Sequence, residues 1–185
     1  MDAHGCVRYI AVMQLLSGKA AAEHISGILH AKYQVHGYSV HLTAHKISCM
    51  NSTGQIDFGG GEYVAAGRTE MTPMQIRPED NYLWWTLAHG GYFVQCNETL
   101  HLATDEIAMI EPEDRLLRAG GWLVPLFMRG HVEPIEFLIE VVATQLRMKE
   151  NARIARVRIF RIDATNATGP RKSNPKKTKT VRKKR

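Results

Sequence analysis

Three histidines, His36, His41 and His45, fall within ten residues, a density that raises the question of a metal site. On one extended strand His41 and His45 share a face while His36 points to the other, so no matching third ligand completes the set and the trio reads as structural or surface side chains. Residues 59–62, GGGE, lack the following Lys-Ser/Thr and helix of a phosphate-cradling loop and read as a flexible turn. Trp84 and Trp85 are adjacent, so a strand sends one into the core and leaves the other for a subunit interface. The clearest chemical signal is electrostatic. Arg171, Lys172, Lys176, Lys177, Lys179, Arg182, Lys183, Lys184 and Arg185 crowd the C-terminus with no acid among them, a pattern suited to RNA or DNA phosphates without sequence readout. The plainer alternative is a solubilising end without a dedicated partner.

That tail changes the meaning of the overall charge. The chain carries +6, yet its first 168 residues hold 15 basic and 18 acidic residues, so the body is slightly negative and polyanion binding is expected of the tail. Cys6, Cys49 and Cys96 are odd in number, far apart and unpaired in spacing, which argues against a disulfide framework or a zinc knuckle and fits a reducing, cytoplasmic setting. No apolar run approaches the roughly 20 residues that span a bilayer, so no membrane is expected.

The elements that would position these groups are mostly strands. Residues 13–33 carry one short helix, with Ser17 as N-cap and Ala21, Ile25 and Ile28 at helical spacing. Thereafter period-two alternation broken by Gly, Asn and Pro predicts strands at 38–47, 55–58, 82–87, 91–96, 107–110, 122–127, 135–142 and 153–162, with no second helix of convincing length. The chain divides into an N-terminal extension, 1–12, with Met13 a candidate true start; a β domain, 13–165; and a basic tail, 166–185, too polar and charged to fold when free.

Residues 87–121, LAHGGYFVQCNETLHLATDEIAMIEPEDRLLRAGG, resemble archaeal-type dUTPases, in which a Gly-Tyr strand leads to an Asn-Glu turn, a strand and Pro-Arg-Ser-Ser-Leu-Leu-Arg-x-Gly. QVHGYSVHLT (34–43), GQIDF (54–58) and NARIARVRIF (151–160) continue the resemblance in order, covering about 13–162. No single motif is diagnostic; their order and spacing carry the weight. The resemblance, to the dUTPase and dCTP deaminase superfamily, implies an all-β distorted jelly roll, or β-clip, with a short N-terminal helix. It also implies a homotrimer with sites at subunit interfaces.

Measured against that family, the reactive positions have changed. His41 stands where an aspartate lies near metal and phosphates, after Ser39 in place of a glycine. Glu113, Asp114 and Arg115 replace the phosphate-gripping Arg-Ser-Ser, so that two carboxylates would face a polyphosphate. Met128 and Arg129 precede Gly130 where a water-activating aspartate is expected, His131 takes the place of a tyrosine, and Arg156 that of a glutamine. Only Arg156 remains suited to an anion. The first reading is therefore a catalytically degenerate homotrimeric scaffold, needing no cofactor, that holds nucleic acid through its charged tail. The alternative is an active dUTP hydrolase or dCTP deaminase, with Glu133, Glu113 or Asp114 as the carboxylate, Arg156 or Arg115 on the anion, and magnesium as cofactor; a third reading binds a nucleotide without turnover.

Overall fold

The computed structural model describes residues 13–162. The N-terminal extension, the last residues of the expected domain and the nine-cation tail lie outside the described residues.

The N-terminal region is more broken than its helical spacing predicts. β1 (Met13–Leu15) precedes α1 (Gly18–Ala22), whose N-cap Ser17 accepts from the Ala20 N–H at 3.3 Å. The helix ends after one turn because Ile25 and Ser26 are drawn into β2 (Ile25–Ser26), which pairs with a distant strand. Tertiary pairing overrides local propensity there. α2 (Ala31–Gln34) and β3 (Val35–His36) follow, and the chain reverses through Gly37, at φ 48°, into β4 (Ser39–Met50).

The remaining elements are β5 (Arg68–Glu70), β6 (Trp84–Cys96), β7 (Thr99–His101), β8 (Glu106–Pro112), α3 (Asp114–Arg118), β9 (Gly121–Trp122), β10 (Leu126–Met128), β11 (His131–Val132), β12 (Glu136–Lys149) and β13 (Arg153–Ile162). Two strands expected at 82–87 and 91–96 are one, β6. Its register against β12 shifts at Gly90, opposite Val141, and the shift switches the buried residues from Trp85 and Leu87 to Tyr92, Val94 and Cys96. The strand expected at 122–127 is split into β9 and β10 around Pro125, which has no N–H to give a ladder. The strand expected at 55–58 is absent: only a Gln55–Val64 bridge forms, and Ile56 and Phe58 are solvent-exposed, their alternation having no sheet to meet.

Ten strands form one antiparallel sheet in the order β10-β8-β13-β4-β6-β12-β9, with β1 on β13 and β3 and β5 on β4; β11-β7-β2 make a second. β4 belongs to both halves of the large sheet, pairing with β13 through Val40–Thr43 and with β6 from Ala44 onward, with a register shift at the changeover. The core fills the space between these halves with Leu42, Ile47, Leu87, Ile110, Ile139 and Ile159, all fully buried. The architecture is all-β, as expected.

Candidate functional site

β13 lies between β4 and β8, and this order gathers residues far apart in sequence. Arg156 on β13 sits opposite His41 of β4 on one side and Glu111 of β8 on the other, so the three occupy one rung across three strands. Two residues past Glu111 the chain enters α3, and Glu113 at its N-cap position turns back toward the rung, its N–H bonded to the Ile154 carbonyl at 2.9 Å. His41 Nδ1 contacts the Glu113 carboxylate directly. Arg156 Nε stands 3.4 Å from Glu111 and 3.9 Å from Glu113, while Arg158 donates to Glu111 at 2.9 Å. Burial pushes the Glu113 carboxyl up, but the His41 hydrogen bond and charge, with Arg156 and Arg153 nearby, outweigh it and hold the carboxyl below its usual range.

The result is a cluster of two carboxylates, two guanidiniums and an imidazole joined by ion pairs. A triphosphate arriving here meets cations already neutralised by carboxylates. The network does not fit a magnesium ion either: the Glu111 and Glu113 oxygens face His41, Arg156 and Arg158, where a hard dication needs free oxygen ligands. Among the described residues no group of three or more His, Cys, Asp or Glu is placed to hold a metal.

Two sequence expectations need correction. Glu113 and Asp114 do not face a ligand together, because Glu113 is buried in the network while Asp114 is exposed in the first turn of α3. His36 does not point away from His41: the reversal at Gly37 puts them on different strands, and their rings meet edge to face at 5.4 Å. His45 is exposed.

The other motif positions lie elsewhere. Met128 on β10 is half-buried against the core, Arg129 is exposed, and Arg115 is exposed on α3. His131 on β11 pairs with His101 on β7, and a chain of contacts runs from Ser26 Oγ to His101 Nε2 at 2.9 Å, His101 Nδ1 to His131 Nδ1 at 3.0 Å, and His131 Nε2 to Glu133 at 3.2 Å. The Glu133 side chain is 65% exposed. No hydrogen bond or ion pair joins this group to the His41 network among the described residues. At residues 59–62 the Asp57 carboxylate accepts from the Gly60 and Glu62 N–H groups, so the turn uses its own donors.

Sequence reasoning missed a buried carboxylate. Glu98 accepts from Gln34 Nε2 at 2.6 Å, Thr43 Oγ1 at 2.7 Å and the Thr43 N–H at 2.9 Å, and Asn97 reaches both Thr43 and Asn151 at 2.9 Å. Burial pushes the Glu98 carboxyl up against the opposing pull of those hydrogen bonds. The Asn-Glu turn is thus a clamp holding β4 to the end of β6 and the start of β13. Glu111 and Arg158 were also missed; the alternation of Arg156, Arg158 and Phe160 with buried Ala155, Val157 and Ile159 was the signal that they share an outward face.

No family model matches the chain, and no curated protein matches it. Among solved structures it is similar to the crystal structure of 2'-deoxycytidine 5'-triphosphate deaminase from Agrobacterium tumefaciens, with a TM-score of 0.58 and 15% sequence identity over 80% of this chain and 49% of that one. The chain spans about half the length of that protein. The likeness shows the fold: an all-β, dUTPase-like architecture.

Proposed function

We propose that this protein is a non-catalytic homotrimer that keeps the dUTPase-like fold as a scaffold and docks on nucleic acid through its basic C-terminal tail. The observation that carries the reading is the ion pairing of His41, Glu113, Arg156, Glu111 and Arg158, which sets the groups at three degenerate motif positions against one another. Charges so paired are not preorganised for a triphosphate, a metal and a water at once. Glu133 and Asp114, the carboxylates left to the enzymatic alternative, are both solvent-exposed, and Glu133 is bonded to His131. Binding then falls to the nine tail cations, whose sequence-independent attraction to phosphates scales with the number neutralised.

Two measurements test this. Purified protein incubated with dUTP or dCTP and magnesium should release neither pyrophosphate nor ammonia above a Glu133→Ala control; turnover that the control loses would overturn the non-catalytic reading. A chain ending at Thr168 should bind RNA or DNA about a hundredfold more weakly than the full chain at moderate salt. Undiminished affinity would remove the tail from the proposal.

A further inference from the structure

The folded body also carries a charged cleft that the tail does not explain. A cavity of about 550 Å³ opens between α3 and the β12–β13 turn, walled by Trp84 and rimmed by Arg115, Arg147, Lys149 and Arg153. A second, of about 290 Å³, shares Trp84 and Arg147 and adds Tyr82 and Arg77. The β6–β12 register makes this face: Trp84 opposes Lys149 and Thr86 opposes Arg147, while Trp85 and Met148 alternate into the core.

Three features mark the cleft as built for an anion with a flat ring. Among the described residues Arg115, Arg147 and Lys149 form no ion pair, in a body whose net charge is negative, while Arg153 donates to the Tyr33 carbonyl at 2.6 Å and lies near Glu113. Glu150 in the wall of the first cavity accepts from the Leu83 N–H at 3.0 Å, and Asp80 is the carboxylate that lines the second. The Trp84 indole N–H is buried without an acceptor, a condition that native interiors rarely leave uncompensated. Beside it Tyr82 is 37% exposed, at 5.9 Å from the Trp84 ring and with Lys149 Nζ 3.0 Å from its own centre. Cations beside aromatic faces are the means by which proteins track a single strand, phosphates on the charges and bases on the rings. An acidic peptide would satisfy the cations but leave the rings unused.

We infer that this cleft is a second nucleic-acid site, taking a single-stranded segment with a base against Tyr82 and Trp84 and its phosphates along Arg115, Arg147, Lys149 and Arg153. The inference takes its ligand class from the proposed function. It is separable from the tail, because the cleft lies wholly within residues 13–162.

The test uses the chain ending at Thr168, beside the full chain, with fluorescent oligothymidylate and oligouridylate of about 20 nucleotides, a matched duplex and polyglutamate as probes. At low salt the shortened chain should bind both single strands, prefer them to the duplex and show quenched tryptophan fluorescence. Four phosphate contacts imply a slope of log affinity on log salt of about −3. Arg115→Glu/Arg147→Glu, both exposed, should bind at least about tenfold more weakly with roughly half that slope, while Lys19→Glu/Arg118→Glu, the same charge change outside the cleft, should bind as the parent does. Trp84→Leu should abolish the quenching, with thermal melting reporting that each variant is folded. Equal losses in the two double variants, no binding by the shortened chain, or equal capture of polyglutamate would overturn the inference. If only the full chain bound, the tail reading would stand and the cleft would fall; if only the shortened chain's binding responded to the cleft variants and the tail added nothing, the reverse would hold.

Discussion

At the scale of single residues, the buried carboxylates of this body are satisfied by nearby partners. Glu113 and Glu106 are both buried carboxylates whose burial is outweighed by partners: His41, Arg156 and Arg153 for the first, and Arg161, the Ala103 N–H and His24 for the second. Both are held below the usual carboxylate range, so each binds protons less readily folded than unfolded. Their stabilisation is therefore complete above the ordinary glutamate range, near pH 4.3, and is lost as pH falls through the lower folded values. Glu98 has the opposite sign, since burial raises it, and it offsets part of the loss on acidification. Glu113→Gln should cost about 2 kcal/mol at neutral pH, a fall in melting temperature of roughly 4–8 °C, because His41 and Arg156 lose a charged partner in a half-buried setting. Between about pH 5 and pH 3 the parent should then lose more stability than the variant, and the two melting curves should converge. Parallel curves over that range would mean that Glu113 does not hold the network.

Elements, rather than residues, decide how the site is shaped, and α3 is the clearest case. Its C-cap Ala119 is followed by Gly120, whose φ is 81° and whose carbonyl accepts from the Val142 and Ala143 N–H groups at 2.9 and 3.2 Å, where β12 leaves its register with β6. A β-carbon on Gly120 would lie 2.5 Å from that of Ala143, whereas one on Gly37, also at positive φ, would meet nothing within 4 Å. Gly37→Ala should cost about 1 kcal/mol and Gly120→Ala about 2–3 kcal/mol, both read by denaturant unfolding, the difference measuring the steric conflict. Equal costs would show that backbone conformation alone limits both positions. The contrast also explains what the sequence made legible. Alternation placed β13 with both ends right and β8 within two residues, because each lies in the middle of the sheet with one face in the core. The helix period over 13–33 misled because Ile25 was claimed by β7, and 55–58 misled because alternation without a partner is not a strand. His41, Glu113 and Arg156 were found through the order of motifs. Glu111 and Arg158, which complete their network, needed the strand order β8-β13-β4, a long-range pairing that no local pattern announces.

For the whole molecule the sheet edge governs the proposed assembly. Trp122, Val124 and Leu138 are 46%, 64% and 46% exposed and line one concavity of about 290 Å³ with Leu126 and Glu140. Among the described residues β9 ends the large sheet there, pairing only through Trp122 and Gly121 with Glu140 and Val141, so an apolar face lies along an edge that they leave unpaired. Exposed apolar surface at such an edge favours burial against another copy, which the proposed homotrimer would supply. Trp122→Glu places a second carboxylate opposite Glu140 in that face and should convert the proposed trimer to a monomer of 20.8 kDa by sedimentation. The same change should weaken nucleic-acid binding by about a hundredfold or more, although Trp122 is in neither the tail nor the cleft, because one tail replaces three and the effective concentration of the second and third is lost. Raising the salt should narrow this gap, since each tail then contributes less. A parent that already sediments as a monomer, or a variant that keeps the parent's mass, would end the assignment of this face to self-association. A monomeric variant with undiminished affinity would instead mean that the tails act singly.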